Sequence, residues 1–328
     1  MDYLGIDVSK DQLDVHWLNQ DSHSSAAFSN HKVGWRSLHN WLKKRSPAAE
    51  IHICLEATGR YGEGVTAFLH QREYPLSVVN PARIKAYATS RLSRNKTDQV
   101  DAALIADFCR TQHTDLPLWT PPDPAQRQLQ ALVRQLDDLD KMRQQERNRL
   151  QAGETAAAVL TRIRDHIAFL DAQIEAVKAE IDELIDQHPG LKQQRDLIAS
   201  IKGVGTLTAA KLLAEIRNIA DFDSPQQLVA FAGLNPRQHR SGSSIRGKSR
   251  ISKVGCAAIR AALFMPAVSA KNTNPYMQPL VQRLQQRGHC KMSIVVAVMR
   301  KLLHLIFGIL KSGQPFDPHF LEKRTAFA

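Results

Sequence analysis

Two short apolar runs near the start of the chain each stop on a carboxylate, and that pairing limits what the chain can fold into. Tyr3-Leu4-Gly5-Ile6 leads into Asp7, and Ile51-His52-Ile53-Cys54-Leu55 leads into Glu56. Runs of this length and composition read as buried strands, where an unpaired charge is costly. A third acidic feature, Lys96-Thr97-Asp98-Gln99-Val100-Asp101-Ala102, sets two aspartates three residues apart. A helix would carry both on one face. Two strands and a helix can therefore converge four carboxylates on divalent cations. Mg2+ takes oxygen ligands in octahedral geometry and, so held, can act on a phosphodiester. Taken singly, Asp98 and Asp101 also fit a helix cap or a solvated face. Asp7 and Glu56 are harder to explain that way.

The surrounding pattern predicts an α/β layer. Leu4 to Val8 and Leu13 to Leu18, joined by Ser9-Lys10-Asp11-Gln12, read as a hairpin. Helical spacing over Trp35 to Leu42, a strand over Ile51 to Glu56, a helix over Gly64 to His70 and a strand over Leu76 to Asn80 follow. Val100, Leu104, Ile105 and Phe108 predict a helix from Thr97 to Cys109. A hairpin followed by strand–helix alternation implies a mixed sheet. The run Leu118-Trp119-Thr120-Pro121-Pro122-Asp123-Pro124 ends it, giving a first domain over residues 1–124. Residues 125–190 form a second, helical region, in which about 125 to 188 read as two long helices with a turn at Gly153. Ile163, Ile167, Leu170, Ile174, Val177, Ile181 and Leu184 form a heptad seam. An antiparallel hairpin and a dimerising coiled coil both fit it. Residues 191–328 read as a third, mostly helical domain, with helices near Pro225 to Ala232, Ala257 to Met265 and Ser293 to Leu310.

Charge is unevenly placed. The net charge is +12, yet the 93 residues between Asp223 and Asp317 contain no acid and carry 14 Lys and Arg, leaving the rest near −2 (12 − 14). Soluble surfaces usually mix both signs, so this stretch is suited to a polyanion; a nonspecific basic surface is the plainer reading. Nothing near Met1-Asp2-Tyr3 resembles a signal peptide. The run Ile294 to Leu310 is interrupted by Arg300, Lys301 and His304, so it reads as amphipathic and not as a membrane span. Cys54, Cys109, Cys256 and Cys290 are far apart in sequence, which argues against structural zinc and a disulfide framework and favours a reducing cytosol. His52, Trp17, Trp35 and Trp41 fit ordinary positions.

Two motifs in the last third bear on nucleic acid. Ile201-Lys202-Gly203-Val204-Gly205, before the helical run Leu207 to Ile216, resembles a helix-hairpin-helix whose turn offers backbone amides to a phosphate. A plain packing corner is the alternative. In Arg240-Ser241-Gly242-Ser243-Ser244-Ile245-Arg246-Gly247-Lys248-Ser249-Arg250, small residues alternate with cations. Such a loop can wrap a phosphate, and a serine within it can attack phosphorus and conserve the diester's energy in a protein–DNA bond. A flexible basic loop that merely touches the backbone is the reading that residue types alone favour, and they do not select the serine. Together with Gly203 and Gly205, the candidate nucleic-acid contacts are Arg237, Arg240, Arg246, Lys248, Arg250 and Lys253.

Taken together, Gly5-Ile6-Asp7-Val8-Ser9-Lys10, Leu55-Glu56-Ala57-Thr58-Gly59-Arg60-Tyr61, Asn80-Pro81 and Asn95 to Ala102 resemble the motifs of bacterial insertion-sequence transposases with a RuvC-like DEDD domain, relatives of the Piv DNA invertase and also called bridge-RNA-guided recombinases. Ile201 to Gly205, Phe231-Ala232-Gly233-Leu234-Asn235-Pro236 and the serine loop continue the resemblance over nearly the whole chain. It implies an RNase H-like fold with Asp7, Glu56, Asp98 and Asp101 as Mg2+ ligands. It further implies Ser241 as the nucleophile forming a 5′-phosphoserine link, with one subunit's metal site acting beside another's serine. The implied partners are donor and target DNA, a structured noncoding guide RNA and further copies of the chain, as dimer or tetramer, with no membrane. The implied setting is the bacterial cytoplasm, at the nucleoid.

Overall fold

The computed structural model describes residues 1–57, 59–91, 98–153, 156–237, 240–241, 245–246 and 250–318. The side chains of Arg60, Asp98, Gln99, Val100, Arg237, Arg240, Ser241, Ile245, Arg246 and Arg250 lie outside that description. The chain divides into two compact units, Met1–Pro121 and Pro122–Ala328.

The first unit is a five-stranded mixed sheet. Its elements are β1 (Asp2–Val8), β2 (Gln12–Leu18), β3 (His23–Ser29), α1 (Lys32–Lys43), β4 (Ile51–Glu56), α2 (Arg60–His70), β5 (Leu76–Val79), α3 (Pro81–Ser90) and α4 (Asp98–Gln112). The strand order is β3-β2-β1-β4-β5. β1, β2 and β3 form an antiparallel meander, while β4 and β5 join in parallel through helical crossovers.

The sequence separates the two faces, because strand side chains alternate. Leu4, Ile6, Leu13, Val15, Ile51, Ile53 and Leu55 point to one side and pack with Leu38 and Leu42 of α1 and Val65 and Leu69 of α2. Cys54 and Val79 point to the other, against Ile84 of α3 and Ile105, Phe108 and Cys109 of α4. Helices on both faces explain why the first five residues of β4 are buried.

The expected hairpin, β4, β5 and the helix before Cys109 are present. Two elements were not foreseen. β3, with sequence His-Ser-Ser-Ala-Ala-Phe-Ser, is an edge strand with one exposed face and few large apolar residues. α3 starts at Pro81, where the sequence predicts only the close of a strand. Pro81 occupies its first turn, and the Asn80 side chain accepts a hydrogen bond from the Ala82 amide at 2.8 Å.

The second unit is mostly helical. Its helices are α5 (Pro124–Gln151), α6 (Ala157–Asp186), α7 (Pro189–Ala199), α8 (Thr206–Ile216), α9 (Pro225–Phe231), α10 (Ala257–Thr273), α11 (Gln278–Gln286) and α12 (Lys291–Ser312). Asp123 caps α5 by accepting from the Ala125 amide at 2.8 Å. α5 and α6 form a helical hairpin with Leu129, Leu136, Leu170, Ile174 and Ile181 in its buried seam. Arg143 of α5 ties to Asp171 of α6 at 2.9 Å. α10 continues through Pro266 past the expected stop at Met265, and α11 was not foreseen.

α12 has the length and apolarity to cross a membrane. Ile294, Val298, Leu302 and Ile306 are nonetheless buried in the core of this unit, as expected of an amphipathic core helix. The serine loop contributes four two-residue strands, β6 (Pro236–Arg237), β7 (Arg240–Ser241), β8 (Ile245–Arg246) and β9 (Arg250–Ile251), paired β6 with β9 and β7 with β8.

Candidate active site and its relatives

The acids assemble on the sheet face that α4 covers. Ile6 pairs with Leu55 across the parallel β1–β4 ladder, so Asp7 and Glu56 follow side by side at its end. Tyr3, Gly5 and Asp7 share the same side of β1. An added Cβ on Gly5 would lie 2.2 Å from the Ala102 carbonyl oxygen and 2.3 Å from the Ala106 nitrogen. α4 thus rests on β1 backbone to backbone. Farther along α4, the Cys109 thiol meets the His52 carbonyl near the start of β4, and His113 lies against Tyr3. The helix therefore runs antiparallel to β1, and its first turn, which carries Asp98 and Asp101, lies toward the Asp7 and Glu56 end. The Asp98 side chain is outside the described residues.

A fifth carboxylate was missed in the sequence. Asp14 is the direct cross-strand partner of Asp7, and opposed residues in an antiparallel pair share a face with Cβ atoms about 5 Å apart. Asp14 is only 6% exposed, and its two oxygens accept from Gln12 Nε2 at 3.0 and 2.9 Å. A lone acid inside the alternating run Gln12–Leu18 gives no local signal. Only the hairpin register places it beside Asp7.

α4 is also fastened from α3. Asp107 takes hydrogen bonds from Tyr87 at 2.8 Å and Arg110 at 2.7 Å, and pairs with Arg91. Burial works to raise its pKa, but these donors outweigh it and hold the carboxyl below its usual range.

Among the described residues, one set of three potential ligand atoms lies within 4.8 Å, and it comprises no acid: His52, Cys54 and Cys109, all buried. Cysteines 55 positions apart thus meet in space, which their sequence separation hid. A hydrogen bond with Cys109 holds the Cys54 thiol down at about 7, while burial pushes Cys109 far up. The described acids are not gathered that tightly. Carboxylates repel one another until a cation balances them, and the all-oxygen set suits a hard divalent ion.

In the second unit, α7 and α8 flank the expected glycine turn. Gly203 has φ +102°, and an added Cβ would press on Ala270 at 3.0 Å. The buried Asn274 donates to the Lys202 carbonyl at 2.9 Å and pins the turn. Gly205 precedes α8 as its N-cap. Ser241 and Arg240 lie on β7, Arg246 on β8, Arg237 on β6 and Arg250 on β9, with their side chains outside the described residues. Lys248 is wholly outside them, and Lys253 is exposed.

A mixed sheet in the order 3-2-1-4-5, with acids at the adjoining ends of its two central strands, is the RNase H-like arrangement expected above. The chain belongs to the IS116/IS110/IS902 family of transposases. Residues 4–163 match the IS110 DEDD transposase model, described as Transposase, and residues 195–282 match Transposase IS116/IS110/IS902 family. The pilin gene-inverting protein of Moraxella bovis is 33% identical over 322 residues, covering 98% of this chain and 99% of its own. Its Moraxella lacunata counterpart matches to the same extent. The transposase for insertion sequence element IS1111A of Coxiella burnetii is 25% identical, over 80% of this chain and 79% of that protein. Among solved structures, Thermus thermophilus RuvC bound to a Holliday junction substrate covers 36% of this chain and 99% of its own, with 11% identity and a TM-score of 0.28.

Proposed function

We propose that the chain is an RNA-guided DNA transposase and recombinase that cuts and rejoins strands through Ser241, with Asp7, Glu56, Asp98 and Asp101 binding Mg2+ at the scissile phosphate. The observation that carries this reading is the juxtaposition of Asp7 and Glu56 at matching register, under the helix whose first turn bears the other two acids. When bound there, Mg2+ would supply positive charge to the phosphate oxygens. Asp7 and Glu56 enter from rigid neighbouring strands and fix the direction of the ligand oxygens. Asp14 stands behind Asp7 as a further negative charge that raises the site's demand for a cation.

In the covalent step Ser241 Oγ forms a bond to phosphorus and loses its proton to a base or to solvent. The bond from phosphorus to the 3′ oxygen breaks, and that oxygen leaves as a hydroxyl. The strand is then held as a 5′-phosphoserine ester. Attack by the 3′ hydroxyl of another strand reverses the chemistry and frees the serine, so no nucleotide cofactor is consumed. We assign the acids and the serine of one reacting centre to different copies of the chain, within a dimer or tetramer. The acid-free basic segment, with Arg237, Arg240, Arg246, Lys248, Arg250 and Lys253, and the amides of the Gly203–Gly205 turn contact DNA and guide RNA backbones.

The test is a denaturing gel of element-end DNA incubated with protein, Mg2+ and candidate flanking RNA. A strand that migrates with the protein, and disappears in Ser241→Ala, is the expected result. Full cleavage by Ser241→Ala without any protein-linked strand would point to a nuclease that uses activated water. Unchanged strand transfer in Asp7→Asn and Glu56→Gln would reduce the chain to a binding factor.

A further inference from the structure

His52 and Cys54 lie two apart on β4 and therefore project from the same side of the strand. Cys109 meets them from α4. Their ligand atoms lie within 4.8 Å of one another, and the residues are 4%, 0% and 0% exposed.

His52 is held in place from β5. Its Nε2 lies 3.0 Å from Ser77 Oγ, and that hydroxyl donates to the Pro117 carbonyl at 3.0 Å. An imidazole oriented through one ring nitrogen by a fixed oxygen is the arrangement found at metal-bound histidines.

We propose that His52, Cys54 and Cys109 form a buried site for a Zn2+ ion. Sulfur and imidazole donors select zinc or copper(I) over magnesium. Charge separates those two. Two thiolates, a neutral imidazole and Zn2+ sum to zero, whereas copper(I) leaves a net negative charge in an apolar interior, where isolated charge is costly. Binding releases the two thiol protons to solvent, and no electron changes hands. The ion joins β4 to α4, the strand that ends in Glu56 and the helix that begins with Asp98. It acts as a structural clamp behind the carboxylates, chemically distinct from them. A Cys54–Cys109 disulfide would also join the two elements, but it would need an oxidant and would leave the orientation of His52 without a purpose.

The full chain is produced in zinc-supplemented medium, desalted without chelator, and its zinc counted by atomic emission. The expected result is about one zinc per chain, retained in Asp7→Asn and lost in Cys54→Ala and Cys109→Ala. Should those cysteine variants fail to fold, cobalt replacement in the unmodified chain decides, because thiolate ligation gives intense near-ultraviolet charge-transfer bands that carboxylates do not. A folded chain without zinc and without those bands overturns the proposal. So does an intact mass lighter by two hydrogens, which marks a disulfide. Either failure leaves the carboxylate site and the serine chemistry untouched, since neither readout depends on DNA cleavage.

Discussion

The acids and the proposed nucleophile are mounted on opposite kinds of framework. In the first unit β1 is held by six residue pairs to β2 and five to β4, with α4 lying directly on its backbone at Gly5. Ser241 sits on β7, a two-residue strand with two pairs to β8. Metal ligation needs several oxygens held to about half an ångström, which a cross-linked sheet provides. A nucleophile that must meet a phosphate bound elsewhere needs local reach more than rigidity. Charge divides in the same way. The residues outside the acid-free stretch are close to neutral overall, while the stretch that includes the serine carries every one of its formal charges as a cation. The acid-free stretch lies wholly within the second unit, so the excess of cations is concentrated there.

That contrast is most directly broken at the acids. Asp7→Asn or Glu56→Gln is expected to lower strand cleavage on the order of 10²–10³-fold, the scale for losing one electrostatic stabiliser at a reacting centre. DNA binding, read by gel shift, stays intact because the cations of the second unit supply it. Equal loss of binding and cleavage would show that the two units do not divide the work. For the basic stretch, DNA affinity is expected to fall on the order of 10³-fold between about 50 and 200 mM salt, as six or more phosphate contacts require. Replacing Arg237, Arg246 and Lys253 together reduces that slope. A flat salt response would remove the electrostatic role.

Gly5→Ala sharpens the rigid half of the comparison. Its methyl meets the α4 backbone, not a side chain that could turn away, so overpacking is expected to cost about 1–3 kcal/mol. Thermal melting checks this. Cleavage should decline further than stability explains, because α4 carries two of the acids. Asp14→Asn is expected to weaken the Mg2+ dependence of cleavage by several-fold without lowering the melting temperature, as removal of a repelling charge predicts.

The smallest effect concerns acid. The Asp107 pKa is depressed, so its contribution is present above its ordinary value of 3.8 and is lost as pH falls through the lower folded value. The melting temperature of Asp107→Asn should lie below that of the parent at about pH 6 and converge with it near pH 2.

The sequence made the site's strands and its helix legible because their apolar periodicity is strong and their acids fall at run ends. Ile51 to Glu56 could be bounded to the residue. β3 was invisible because Ser24, Ala26 and Phe28 form too weak an alternation, and its pairing with β2 supplies what its own composition lacks. Asp14 and the His52–Cys54–Cys109 cluster were illegible for another reason. Each becomes meaningful only through a neighbour on a different element, reached by cross-strand register in one case and helix docking in the other. His52 reads as an ordinary position in the sequence, and only the docking of α4 brings Cys109 to it. The start of α5 was legible from the proline-rich run that ends at Pro124, whereas at Asn80 a single proline after a strand carries two meanings.

The bare contact at Gly5 restricts how the enzyme can be switched. With no side chain between strand and helix there is no lubricating layer along which α4 could slide, and a shift by part of a turn would drive peptide groups into one another. The strand that carries Asp7 and the helix that carries Asp101 are therefore locked together at that junction, and under the proposed reaction control would fall to the delivery of nucleic acid and serine.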